Sequence, residues 1–444
     1  PVAALDHAPR DPWPADEPRF ALVARSMVES GNWLFPMRGD ELYSDKPPLF
    51  MWLQAAAYQL SGSWRMAFLL PGLLSGLLSL VLLYDLARRL HGRRVAWIAA
   101  ATLLFTLQFT IQARAAQIDG VLVGIMTLAA YGLLRHLLLG PDRRWLLIGC
   151  FAAGIGTITK GVAFLALLLL PLALLGRRLR WQGLTLAPAN PRQILLASLA
   201  FLLAASIWLV PMLLTVWRSA DPALAAYARD ILLGQTAQRF IGAGHHQKPF
   251  WYFLEVVLTL WLPGSLALFW AVPAWVRRWR RGRRPARVLL PLFYALALIA
   301  FFSMSSGKRG VYILPALPML ILALAPMLPA LLRRRALQSG LFSLALGFAL
   351  LLVAGAGLAL AGSGKQAARL LEMVGAPAWQ VVLAIGAGGL IACAWWRPRR
   401  GAQALASTLT AFWVLAGFGL YPLITDERSA RGLMLQAGAM LGPD

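Results

Sequence analysis

Acidic side chains are scarce in this chain. Its 444 residues hold 18 Asp and Glu against 42 Lys and Arg, and charged residues of both signs make up only 14%. With 59% hydrophobic residues, a soluble domain of this size would expose more apolar surface than such domains carry. Cysteine is nearly absent. Cys150 and Cys393 both sit in apolar runs and read as small packing residues rather than a disulfide. Dyad alternation of polar and apolar residues is missing, which excludes an outer-membrane barrel. No internal repeat and no targeting peptide is visible.

What is present is long apolar sequence. The runs 69–86, 195–216 and 341–361 approach or exceed the ~20 residues needed to span a bilayer, and the mean hydropathy is +0.65. The fold class expected is an all-α polytopic membrane protein. About twelve spans are expected, at 65–87, 94–111, 120–139, 144–158, 161–176, 193–216, 251–274, 286–303, 310–331, 338–361, 378–396 and 404–424. A further helix ahead of Pro1 would make thirteen. The segments 144–158 and 161–176 are short and suit a tilted or hairpin arrangement.

The net charge of +24 is a topology signal rather than a nucleic-acid one. Alternate loops hold 24 of the 42 basic residues, with only Asp85 and Asp142 among them, while the other 18 basic residues face 16 acidic ones. The positive-inside rule puts the first set in the cytoplasm. Segments 112–119, 157–160, 217–250, 303–312 and 362–375 then share the opposite face with the first loop. The expected domains are a first loop over 1–64 with interfacial helices, a transmembrane domain over 65–424 and a short tail over 425–444.

The longest polar stretch, 16–48, holds six of the acidic residues and also Arg19, Arg25, Arg38 and Lys46. Residues 17–30 carry Phe20, Leu22, Val23, Met27 and Val28 between polar positions, as an amphipathic interfacial helix would. A second such helix is expected over 47–60, with proline in its first turn. Asp16 and Glu17 fit either a helix start or a general base. Lys46, in Asp45-Lys46-Pro47-Pro48, fits either snorkelling or a cation held at the depth of a lipid phosphate on a proline-stiffened turn.

Asp119 opens a span after Arg114 and must stay at the rim or face a polar cavity; a helix cap is the plainer reading. Lys160 lies between two short spans. The segment 239–252 mixes Arg239, the adjacent His245 and His246, Lys248 and an aromatic run. A histidine there suits the surface, a metal or a pH-sensitive role. Lys308 and Arg309, near Tyr312, sit together on the face where the positive-inside rule disfavours them, so an anionic partner is expected. Together these loops suit a phosphorylated amphiphile.

The same residues carry a resemblance. The chain resembles GT-C fold glycosyltransferases of the bacterial aminoarabinose transferase and protein O-mannosyltransferase superfamily. The match runs through Asp16-Glu17-Pro18-Arg19-Phe20-Ala21, Tyr43-Ser44-Asp45-Lys46-Pro47-Pro48-Leu49 and Trp52-Leu53. It continues through Asp119, Thr159-Lys160-Gly161, His246 with Pro249-Phe250-Trp251-Tyr252, and Gly307-Lys308-Arg309 with Tyr312-Ile313-Leu314-Pro315. The order is kept over 16–318. The resemblance implies a sugar donor on undecaprenyl phosphate, used at the periplasmic face of the bacterial inner membrane without a nucleotide. It implies that Asp16 is the carboxylate nearest the chemistry. Arg19, Lys46, Lys308 and Arg309 would bind the lipid phosphate, with Tyr43 lining the site. Glu17, Lys160, Arg239 and Tyr312 are counted as substrate-binding and Asp119 as catalytic. It also implies that Asp45 and His246 could hold a divalent metal (Zn, Mg or Mn), although the family often has Glu where Asp45 stands and usually Tyr where Phe20 stands. A monomer is expected, with a lipid, glycan or protein acceptor such as lipid A, contacts to membrane lipids and no nucleic acid. The competing class is a flippase for a phosphorylated lipid, which would show repeats and helices broken at the midplane.

Overall fold

The computed structural model describes residues 10–13, 16–186, 188, 190–233, 248–362 and 365–428. They form two compact units, one of Arg19–Ser61 and Ala67–Pro329, the other of the described parts of Pro1–Pro18, Gly62–Met66 and Ala330–Asp444.

In the first unit, α1 (Glu17–Ser30), which belongs to it from Arg19 onward, buries Phe20, Val23, Ala24 and Met27. This i, i+3, i+4, i+7 stripe is what an amphipathic helix turns toward its core. A small hairpin follows, β1 (Met37–Arg38) against β2 (Glu41–Leu42), which hydropathy alone does not announce. Gly39 makes its turn at φ +64°, where a side chain would be strained. Next, α2 (Leu49–Ser61) starts directly after Pro47-Pro48. These are the two short helices expected in the first loop.

The long helices then come in order: α3 (Leu70–His91), α4 (Arg93–Leu104), α5 (Leu107–Ala113), α6 (Ile118–Leu138), α7 (Arg143–Thr157), α8 (Gly161–Arg178) and α9 (Pro191–Arg218). After the short α10 (Pro222–Arg229) come α11 (Tyr252–Thr259), α12 (Gly264–Arg280), α13 (Ala286–Met304) and α14 (Gly310–Leu331). Both α6 and α14 are buried on nearly all sides and form the middle of the unit, whereas α9 exposes most of its apolar surface, as a lipid-facing helix does.

Among the described residues nine helices are long and apolar enough to cross a membrane, and two bent pairs raise the figure to eleven. The expected segment 94–111 is α4 and α5, bent by 70°. The expected segment 251–274 is α11 and α12, bent by 102°. The remaining expected segment, 144–158, is α7. Its 15 residues rise only about 22 Å, short of the ~30 Å hydrocarbon layer.

The two breaks meet. Leu107 N donates to Leu262 O and Gln108 N to Leu260 O, each at 2.9 Å. Main-chain groups exposed by one break thereby satisfy those exposed by the other, which is what an apolar surrounding demands of an interrupted helix. Trp261 Nε1 adds a 2.7 Å bond to Gln108 Oε1. Elsewhere glycines allow close approach. A Cβ on Gly124 of α6 would lie 2.7 Å from Ser75 Cβ on α3, and one on Gly132 would lie 2.9 Å from Gly149 of α7. Small residues at such crossings let dispersion packing hold helices for which lipid offers no hydrophobic drive.

In the second unit α15 (Arg335–Leu360), α17 (Ala376–Trp396) and α18 (Pro398–Thr425) pack together, with α16 (Lys365–Val374) between the first two. Gly389 of α17 lies against Ala349 of α15, where a Cβ would come within 2.8 Å of the alanine Cβ.

Candidate functional site

The turn after β2 carries the first group of site residues. Tyr43 is buried, and its N–H donates to Pro36 O at 2.8 Å, which folds the turn back on the loop. Arg19, one turn into α1, reaches Asp45 Oδ2 at 3.3 Å and lies over the rings of Phe20 and Tyr43, at 5.2 and 5.8 Å. Lys46 Nζ donates to Asp45 O at 2.8 Å. Ser44 donates to Asp230, just past α10. Trp52 Nε1 and Trp208 Nε1 donate to the carbonyls of Trp33 and Leu34, at 2.7 and 3.0 Å. These bonds pin an otherwise irregular loop onto α2 and α9.

The next group is joined to this turn by main chain, since Leu49 N donates to Ile158 O at 3.4 Å. Two residues on, Lys160 Nζ donates to Asp119 Oδ1 at 2.6 Å, with both side chains mostly buried. The N-cap of α6 is Gln117, and its side chain makes no cap bond. Asp119 therefore serves as the counter-ion of Lys160 rather than as a cap. Lys160 Nζ also sits 4.4 Å over the Tyr312 ring, a cation–π contact that holds the ammonium. Tyr312 belongs to the first turn of α14, beside Lys308 and Arg309.

Lys308 is only 6% exposed. Its Nζ donates to Ser305 O at 2.5 Å and to Lys248 O at 3.1 Å. These carbonyl dipoles replace part of the water that a buried ammonium loses. Arg309 is exposed. Gly310 lies against Gln108 and Tyr252, with a Cβ there falling 3.5 Å from Gln108 Nε2 and from Tyr252 Oη. Within this unit the Lys46 turn, the Lys160–Asp119 pair, Tyr312 and the Lys308 turn thus form one chain of contacts. Cations outnumber acids along it, so it suits an anion.

Beneath it runs an apolar groove of about 480 Å³ between α6, α7 and α9, lined by Ile125, Phe151, Ile155 and Leu203 among others. Ile125 stands under two turns along α6 from Asp119.

Asp16 and Glu17 belong to the other unit. Asp16 stands half-buried at the turn before α1. Glu17 is buried and taken by Arg10, at 2.5 and 2.7 Å, and by Trp13 N at 2.8 Å. Asp11 pairs with Arg65 at 2.8 Å. Arg239 and His246 lie outside the described residues. Among the described residues no three His, Cys, Asp or Glu side chains gather as a metal needs. Asp45 is paired with Arg19.

Sequence reasoning passed over Gln108 and Asp230. Gln108 carried a signal, as an amide in an apolar run has to find partners. Asp230 is placed by its long-range contact with Ser44, which spacing does not show.

Comparison with known proteins gives the class first. A family model described as dolichyl-phosphate-mannose-protein mannosyltransferase matches residues 45–217. ArnT from Cupriavidus metallidurans, crystallised bound to undecaprenyl phosphate, superposes with a TM-score of 0.71 over 97% of this chain and 76% of that one, at 24% identity. The fold is that of a GT-C type membrane glycosyltransferase. The undecaprenyl phosphate-α-4-amino-4-deoxy-L-arabinose arabinosyl transferase of Pseudomonas aeruginosa strain UCBPP-PA14 is 31% identical over 413 residues, which cover 91% of this chain and 70% of the relative. The transferase of the same description from Pectobacterium carotovorum strain PC1 is 31% identical over 70% of this chain. This chain spans only about half the length of that relative, 54%. The chain belongs to the family of undecaprenyl phosphate-α-4-amino-4-deoxy-L-arabinose arabinosyl transferases.

Proposed function

We propose that this chain transfers a sugar from an undecaprenyl-phosphate-linked donor to an acceptor outside the cytoplasm, lipid A or another glycan, lipid or protein. The reaction would run at the periplasmic face of the inner membrane. The observation that carries this reading is the run of contacts from the Lys46 turn through Lys160 and Tyr312 to Lys308. The apolar groove beside it suits an isoprenoid chain.

In the proposed step the bond between the anomeric carbon and the phosphate oxygen breaks. Its electron pair stays with the phosphate, which leaves as a monoester anion. The acceptor oxygen forms the new bond to the anomeric carbon. Lys46, Arg19, Lys308 and Arg309 stabilise the charge that builds on the leaving oxygen. Lys160, steadied by Asp119 and Tyr312, adds to that field. For a hydroxyl acceptor the released proton goes to Asp16, a role assigned by resemblance. A phosphate acceptor is already anionic at neutral pH and needs chiefly positioning.

Incubating the purified chain with labelled polyprenyl-phosphate sugar and an acceptor tests the reading. Release of polyprenyl phosphate supports it, whereas movement of intact donor across the bilayer marks a flippase. Lys46→Met should slow release roughly 10²-fold, and Asp16→Asn should abolish transfer to a hydroxyl acceptor without unfolding the chain. A metal on Asp45 and His246 is a separate proposal. Dialysis against EDTA and His246→Ala should then lower the rate alike, and unchanged rates would remove it.

A further inference from the structure

At the far ends of these helices the larger unit builds a second feature. There α8 ends at Arg178, α12 ends at Arg280 and α13 begins at Ala286. The return after α8 is stitched to the start of α13. Gln182 N donates to Arg284 O and Ala286 N to Gln182 O, both at 2.8 Å. Trp181 tucks back under α8, its main-chain N–H donating to Gly176 O at 2.8 Å. Its indole occupies the space where a Cβ on Gly176 would come within 2.5 Å. Phe293 lies between two tryptophans, 5.2 Å from Trp181 and 5.9 Å from Trp279, and the Arg284 guanidinium stacks 4.6 Å over Trp279.

Two donors in this aromatic box, Trp181 Nε1 and Arg284 Nε, have no acceptor among the described residues, and neither has Trp275 Nε1 on the adjoining stretch of α12. Trp181 is 4% exposed and Trp275, one turn before Trp279, is 9% exposed. Arg284 spends Nη1 on Leu179 O at 3.1 Å. Buried N–H groups are costly when unmatched, and three together call for a ligand that only accepts. The exposed arginines around the turn at 281–285 add positive charge. Just along α12, Phe269, Val272 and Val276 are exposed apolar side chains that acyl chains would cover.

We propose that this box binds the phosphate of an anionic phospholipid from the adjoining leaflet. Its oxygens accept from Trp181, Trp275 and Arg284 while its chains lie along α12. Basic pockets between spans are suited to such headgroups, and the exposed apolar run beside the box favours a lipid over free phosphate.

The test uses the full chain in nanodiscs of phosphatidylcholine, with and without phosphatidylglycerol. The wild type should melt higher with phosphatidylglycerol and retain it in native mass spectrometry. Arg284→Gln and Trp181→Phe should each lose about tenfold in retention, which is 1.4 kcal/mol, while melting as the wild type does in phosphatidylcholine. Trp181→Phe keeps the ring and removes only the N–H, so it decides alone should Arg284→Gln not fold. Wild-type retention in Trp181→Phe would overturn the proposal. An equal melting shift from inorganic phosphate in phosphatidylcholine discs would overturn the lipid as the source. The box takes no part in sugar transfer, so its failure leaves that reading intact.

Discussion

Lys160 and Asp119 show how two side chains can be singled out in a sequence while the contact between them goes unseen. A lysine between two short spans and an acid at a helix start are visible as oddities, but their pairing across 41 positions is not. Since both are mostly buried, removing one strands the other. Lys160→Met should destabilise the chain by about 3–5 kcal/mol, read as a lowered Tm in detergent, and Lys160→Met with Asp119→Leu should recover most of it. Glu17 is the reverse case. It reads as a substrate-binding carboxylate, and the structure sets it in a buried pair with Arg10 that spacing does not announce. Tyr227, in the last turn of α10, packs against Phe35, and its hydroxyl has no partner among the described residues. Burial pushes its pKa up from the ordinary value. Above pH ~10 the unfolded phenol loses its proton while the folded one keeps it. Stability contributed below that pH is therefore lost as pH climbs further. Tyr227→Phe should leave the neutral-pH Tm unchanged or slightly higher and flatten the alkaline fall.

At the scale of elements, hydropathy found eleven of its twelve expected spans, two of them as bent pairs, because apolar length needs no partner to be seen, and the twelfth, α7, is a helix too short to qualify. It also set the bounds of α1, whose stripe of Phe20, Val23 and Met27 has the helical period. It did not find the breaks at 105–106 and 260–263. A bend of 70° or 102° leaves the composition of a segment intact, and what stabilises the bend is a contact more than 150 positions away. The hairpin at 37–42 is equally silent, as two residues per strand are too few for alternation to register. Helix crossings are legible only where glycine marks them. Gly124 faces Ser75 so closely that Gly124→Val should cost about 1–3 kcal/mol or more, measured as a lower Tm and lower yield of folded protein. The same change at Gly357, where nothing stands within 4 Å, should be far milder.

For the whole molecule, the arginine-rich ends and the Lys46 loop should lie on opposite sides of the membrane. Cys150 and Cys393 are both buried, so single cysteines can report on this. A cysteine at Arg283 should react with an impermeant thiol reagent only in opened cells, and one at Glu41 in intact spheroplasts. Labelling of both from one side would refute the orientation. The family pattern was readable because its charged motifs sit in polar islands within apolar sequence. That those islands share one face was readable from the alternation of charge, but the contacts that join them were not, because they are made by carbonyls and rings. The seam between the two bent spans has a consequence of its own. It is made from peptide groups, which every residue but proline supplies alike, so drift of the side chains around it need not loosen it. A proline at 107 or 108 would remove one of its amide hydrogens and open it, so proline is the one residue those two positions should refuse as this lineage diverges.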